Sequence, residues 1–445
     1  MSRFRHHLRS TGLASALAGV FTFAILSGEP AAAWPLDDSD DSRIGRLEYM
    51  RRIESGQLQG TKQPPGALLP TSAVRLRMLE HAAYEAGTPD TGLSAALRGL
   101  LGARAADYSV ALLDLSNPER PYYAEHRAEK RYNPGSVGKL LVANALLQAV
   151  ADVYPDDLAA RWQFLRDTRI EADGVIVTDS HTVRRWDSEQ ETLIRRPLEI
   201  GDPGTLFEFL DWMVSPSSNA AASVLIRQTM LLNEFGRDYP LSPTAAETFF
   251  ETTAARELTT LLARTLQKPV TRNGFELENL RQGSLFTRSG KALVSGTSSR
   301  ASARELLRFL LRIEQGRVID SFSSAIIKKL MYVTERRIRY ARAPALRDAA
   351  VYFKSGSLYK CAEEVGFKCR KYRGNVLNLM HSAAIVESHD EQSQLHYIIV
   401  LMSNVLRQNS ASDHQEIAAA VHGLLKARNP ANAAIAVETL PPAVE

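Results

Sequence analysis

The sequence predicts an α+β fold: an antiparallel β-sheet of about five strands, flanked by helices, with an all-helical subdomain inserted into it. Strand-like runs stand at both ends of the region 86–428: Tyr108–Leu115 early, then Val351–Leu358, Ser382–Glu387 and Tyr397–Asn404 late. Between them, over roughly residues 140–345, the pattern is mainly helical. The last strand-like run is almost continuously apolar, as a central strand covered on both faces is.

The elements follow in order. The first 33 residues have the form of a secretory leader: basic Arg3, Arg5 and Arg9, an apolar run from Gly12 to Leu26, and small residues Ala31-Ala32-Ala33 for cleavage. That run is about 15 residues, short of the roughly 20 that span a bilayer. Cleavage is therefore expected, with no lasting membrane anchor and a periplasmic or secreted destination. Residues 34–85 form an N-terminal extension. It has an acidic patch at Asp37–Asp41, an amphipathic stretch Ile44–Ile53 and a break at Gln63-Pro64-Pro65-Gly66, and is expected to pack on the main domain.

Asn133-Pro134 reads as a helix cap followed by proline at the first helical position. The helix that follows, from Lys139 to Val150, is apolar on nearly all sides and so belongs in the core. A second helix is expected over Thr205–Val214. A third opens at the capping box Ser302-Ala303-Arg304-Glu305 and stops at Gly316. After Tyr397–Asn404, Ser412-Asp413-His414-Gln415 leads into a final helix with Ile417, Val421, Leu424 and Leu425 on one face. The Ala/Pro-rich residues 429–445 form a loosely held tail.

Formal charge is only +4, and no lysine/arginine block argues for nucleic acid. The stretch Glu335–Arg342, rich in arginine, reads as a solvated surface. Two cysteines, Cys361 and Cys369, in an exported chain suggest a disulfide. Without a paired histidine nearby they do not complete a zinc site, so no metal or other cofactor is expected, and the chain is taken as a monomer.

Three short motifs carry chemistry: Ser136-Val137-Gly138-Lys139, Ser217-Ser218-Asn219 and Lys354-Ser355-Gly356. A serine three residues ahead of a lysine puts both side chains on one helix face, where a neutral amine can take the hydroxyl proton. The other two motifs add a hydroxyl, a carboxamide and a second cation. Gly135–Lys139 is not a phosphate loop, which needs glycine at 133 and Ser/Thr at 140. It is not a nucleophile elbow either, because position 134 is proline. The ten scattered histidines suggest no zinc cluster.

The ordered trio resembles the penicillin-recognising serine enzymes, the class A β-lactamases and D-alanyl-D-alanine peptidases, over roughly residues 86–428. The resemblance implies Ser136 as acyl-accepting nucleophile, Lys139 as its base and Ser217 as the proton relay to the leaving nitrogen. It implies Asn219, Lys354, Ser355 and Gly356 as substrate-binding residues, and the N–H groups of Ser136 and Ser357 as oxyanion donors. The substrate would be a β-lactam or a peptidoglycan stem peptide. A non-catalytic penicillin- or cell-wall-binding protein is the alternative from another class.

Two departures accompany the likeness. Class A enzymes place a water-activating glutamate shortly before the helix that opens here at Ser302. In this sequence no Asp or Glu occurs between Asn279 and Ala303, so Glu276 and Glu278 are the nearest candidates for a deacylation base. The intervals between motifs are also long, with insertions near Glu171–Arg196 and Leu232–Gly274.

Overall fold

In the computed structural model, which describes residues 42–70, 73–335, 337–388 and 394–429, five strands form one antiparallel sheet. They are β1 (Tyr108–Asp114), β2 (Tyr122–His126), β3 (Ala349–Lys360), β4 (Leu377–Ser388) and β5 (His396–Asn404). Their order across the sheet is β3-β4-β5-β1-β2, with β5 in the middle. Side chains alternate between two cores, as the period of two requires. Ala111, Leu113, Ile398 and Val400 face the helical subdomain, whereas Val110, Leu112, Ile399 and Leu401 face the opposite helices. Burial on both faces is why β5 reads as continuously apolar. The short strand β2, which pairs with β1 from Val110↔His126 to Asp114↔Tyr122, was not marked by the sequence pattern. Two of its five residues are glutamate and histidine, so its apolar signal is weak.

The outer face is covered by α1 (Thr91–Leu101) and by the final helix, α2 (Ala411–Arg428), through Leu93, Leu97, Ile417, Val421 and Leu425. The inner face meets Ala303–Glu314 and Ser321–Tyr332. The centre of the helical part is Lys139–Val153, buried all round from Lys139 to Ala151, with Leu206–Val214, Asn219–Phe235 and Ala255–Arg272 packed around it. This helical part also carries short strands, among them the hairpin Thr182–Asp187 with Thr192–Pro197 inside the first insertion.

Local caps follow the sequence with two exceptions. Thr205 and Glu208 form a reciprocal capping box. Ser302 Oγ accepts from the Glu305 N–H, but the return bond is missing: Ser302 N–H already donates to Asn279 O, and Glu305 pairs with Arg308 at 3.0 Å. The expected Asn133 cap is likewise an Asx turn. Asn133 Oδ1 accepts from Gly135 N–H at 2.9 Å, and a 3₁₀ turn, Gly135–Gly138, precedes the α-helix. Gly135 adopts φ +54, and a Cβ there would stand 2.9 Å from Ser357 N, so the tight turn follows from the close approach of β3.

The extension packs on the domain through Gly45–Glu54, burying Leu47, Met50 and Ile53. Its Arg46 and Asp211 form a pair 2.5 Å apart, at 1 % and 0 % side-chain exposure. Arg46 also donates to Val333 O at 2.8 Å. Burial disfavours charge on Asp211, and the guanidinium opposes that. Lys328, fully buried, lies 2.6 Å from both Glu314 and Glu387 and supplies the cation that those carboxylates require.

The arginine-rich stretch is solvated only in part: Arg342 is exposed and Arg336 lies outside the described residues, but two of its arginines turn inward. Arg339 is buried and donates to the carbonyls of Gly356 and His381, while Arg337 donates to those of Ala349 and Gly66. These guanidiniums donate to strand and turn carbonyls in the interior, where backbone acceptors need partners. Cys361 and Cys369 are disulfide-bonded within the connection from β3 to β4. The leader, the acidic patch and residues 430–445 of the tail lie outside the described residues.

Candidate active site

Three separate elements bring the motif residues to one point. The 3₁₀ turn carries Ser136, and Lys139 opens the buried helix. From there Lys139 Nζ reaches Ser136 Oγ at 3.1 Å, Asn219 Oδ1 at 2.7 Å, and Ser217 at 2.6 Å (backbone O) and 3.3 Å (Oγ). Burial lowers the Lys139 ammonium to about 7, with the charge of Asp179 opposing the shift. The amine is therefore within range of neutrality near neutral pH, beside a hydroxyl whose proton it can take. The Phe286 ring, centred 4.9 Å from Nζ, closes another side of the amine.

Ser217 sits in a left-handed conformation, φ +66, just before the helix Asn219–Phe235. Such a conformation costs a non-glycine residue on the order of 1–3 kcal/mol, and surrounding contacts must enforce it. Here the enforcing contacts lie on both sides. Ser218 caps the following helix through Ala221 N–H. Lys354 Nζ, from β3, donates to Ser217 Oγ at 2.8 Å. The Ser217 hydroxyl thus bridges two amines, a geometry suited to passing a proton.

Gly356 explains how the strand approaches Ser136. A Cβ on Gly356 would lie 2.2 Å from Pro134 O and 3.2 Å from Ser136 N. With Gly135 crowding Ser357 N from the other side, the amide nitrogens of Ser136 and Ser357 stand on abutting segments. Two backbone donors at such a place can stabilise a developing oxyanion. Lys354 and Ser355 line the adjoining pocket together with Ser136, Ser217 and Arg339. Burial lowers the Arg339 guanidinium to about 10, still a cation at neutral pH. The wider cleft is about 410 Å³ and runs from Ser136 to Lys371 and Tyr372 of the disulfide-braced connection.

The two glutamates suggested as deacylation bases are not at this point. Glu278 is 64 % exposed and pairs with Arg300 at 2.7 Å. Glu276 is exposed and accepts from Asn279 Nδ2 at 3.1 Å. Both precede the two-residue strand Leu280–Arg281, which turns the chain inward only after they have passed. The inward residues are instead Gln282, Ser284, Leu285 and Phe286.

Sequence reasoning missed Asp179 and His181. Asp179 Oδ2 accepts from Ser218 Oγ at 3.0 Å and from Ala220 N–H at 2.8 Å, at the start of the helix bearing Asn219. Its Oδ1 lies 2.6 Å from His181 Nδ1. Burial would raise this carboxyl, but His181 and the two backbone N–H groups hold it well below the usual carboxylate range. The only local signal was an Asp-x-His triplet, and the partners at 218 and 220 are remote in sequence.

Comparison with known proteins gives one family match. The beta-lactamase enzyme family matches residues 92–424. A search of curated proteins gives no match. Similar solved structures include a mutant of PBP-A in an acyl-enzyme complex with penicillin G, at 15% identity and TM-score 0.48, covering 77% of this chain and 100% of that one. The TLA-3 extended-spectrum beta-lactamase is 12% identical with TM-score 0.49, covering 75% and 98%. A beta-lactamase from Chitinophaga pinensis is 18% identical with TM-score 0.46, covering 75% and 99%. On the family match, which takes in all three motifs, the chain belongs to the beta-lactamase enzyme family.

Proposed function

We propose that this chain is an exported, monomeric serine hydrolase that forms an acyl-enzyme on Ser136 with β-lactams or related amides and then hydrolyses it. The observation that carries the reading is the buried Lys139 amine, 3.1 Å from Ser136 Oγ and lowered toward neutrality. Lys139 takes the Ser136 proton as Oγ attacks the carbonyl carbon. The N–H groups of Ser136 and Ser357 receive the oxyanion. Ser217, held between Lys139 and Lys354, passes a proton to the leaving nitrogen. Lys354 and Ser355 hold the substrate carboxylate, and Asn219 fixes Lys139 and faces the substrate amide. Export rests on the leader-like first 33 residues.

The length of the cleft, reaching Lys371 and Tyr372, supports a second reading as a D-alanyl-D-alanine peptidase acting on peptidoglycan stem peptides. Nitrocefin turnover and release of D-alanine from a D-alanyl-D-alanine peptide, measured on one preparation, decide between the two. Neither activity, together with no covalent penicillin adduct on intact-mass analysis, would overturn both.

A further inference from the structure

The acyl-enzyme needs a group that draws a proton from water, and no Asp or Glu is among the described residues lining the cleft. One imidazole is among them. His181 borders both the small pocket that holds Ser136, Ser217 and Lys354 and the wider cleft beyond it. Its side chain is 32 % exposed, so water reaches it, whereas its partner Asp179 is 3 % exposed. An ionised carboxylate only accepts hydrogen bonds, so the 2.6 Å contact fixes the proton on His181 Nδ1. In the neutral ring Nε2 then carries the lone pair, the tautomer that a general base requires.

The segment is built to keep that orientation. Thr178, immediately before Asp179, adopts φ +83, a strained conformation for a β-branched residue. Upstream, Val175 O accepts from Thr287 Oγ1 and Ser289 Oγ, and Arg227 pairs with Asp173, each contact tying the loop to a neighbouring segment of the helical part. Downstream, Asp179 is anchored to the helix that carries Asn219. The imidazole thus hangs from a loop fixed at both ends, bordering the pocket that Ser136 also lines.

We propose that His181, oriented by Asp179, is the general base of deacylation and takes the place of the carboxylate that the segment 280–302 lacks. The inference rests on Ser136 being the acylated residue. His181 Nε2 removes one proton from a water molecule as its oxygen bonds to the acyl carbonyl carbon. Collapse of the tetrahedral adduct breaks the bond from that carbon to Ser136 Oγ. The imidazolium returns the proton to the departing serine oxygen. The water is thereby divided between the restored Ser136 hydroxyl and the released carboxylic acid, and the imidazole is neutral again.

The test follows the penicillin G adduct of the mature chain by intact mass, in the parent enzyme and in His181→Gln, His181→Asn and His181→Gly. Peptide mapping of the parent adduct establishes whether it lies on Ser136, and an adduct elsewhere overturns the underlying reading and this inference with it. With the adduct on Ser136, the substituted enzymes are expected to acylate and then lose the adduct at least ~10²-fold more slowly, the usual cost of removing a general base. Free imidazole is expected to restore adduct loss in His181→Gly, a rescue that a packing role would not show. Adduct loss at the parent rate in His181→Asn, or slow loss in His181→Gly that imidazole leaves unchanged, overturns the assignment while leaving Ser136 in place.

Discussion

Lys354 Nζ and Ser217 Oγ lie 2.8 Å apart although 137 positions separate them, so a hydrogen bond joins β3 to the turn before the Asn219 helix. On the proposed function Lys354 has two tasks, to orient the Ser217 hydroxyl and to attract a carboxylate. Lys354→Ala is expected to lower kcat/KM for carboxylate-bearing substrates by about tenfold to a hundredfold, the size of a charge-assisted hydrogen bond. Neutral esters should lose less. Equal losses on both substrate types would count against the carboxylate role.

Ser136→Ala should abolish covalent labelling by a fluorescent penicillin, and Lys139→Ala should slow acylation by ~10²–10⁴-fold. Labelling that persists in Ser136→Ala would place the nucleophile elsewhere.

The acylation rate should rise with pH through about 7, where burial has lowered Lys139. The sign follows from the role: the amine must be neutral to accept a proton, so protonation below that pH removes the base, about tenfold per unit once well below it. Stopped-flow acylation rates from pH 5 to 9 check this. A rate that falls as pH rises over this range would show that the protonated lysine is the working form.

Glu276→Ala and Glu278→Ala should leave the lifetime of the penicillin adduct within about twofold of the parent enzyme. Exposed charges of this kind contribute little beyond the surface. A trapped adduct in either variant would mean that the loop folds inward when substrate binds.

Gly356→Ala should impair acylation strongly, since the new methyl would overlap Pro134 O at 2.2 Å and push β3 from the Ser136 turn. Overpacking of this kind costs about 1–3 kcal/mol of stability. Denaturant titration beside acylation kinetics separates the two effects.

The motif residues were legible because their chemistry is local. The three-residue step from Ser136 to Lys139, and the turn before Asn219, write themselves as short strings. The sheet was legible where both faces are apolar, as in β5, and illegible at β2, where Glu125 and His126 put a polar residue on each face. Arg337 and Arg339 looked solvated because arginine usually is. Nothing local reveals that strand and turn carbonyls await their guanidiniums. The Asp179–His181 pair escaped for a similar reason, since its meaning lies in contacts with Ser218 and Ala220 about forty positions on. Glu276 and Glu278 attracted notice by proximity in sequence, and a single short strand was enough to leave both outside.

The pairing of Arg46 with Asp211 bears on how the protein can be prepared. The family match begins at residue 92, and an expression vector cut to that boundary would omit Arg46. Asp211 would then keep its place on the helix leading to Ser215-Pro216-Ser217, buried and without its guanidinium. Removing one partner of a buried ion pair costs about 3–5 kcal/mol. A fragment begun at the family boundary should therefore come out insoluble or poorly acylating, and one begun upstream of Ser42 should keep the folded site.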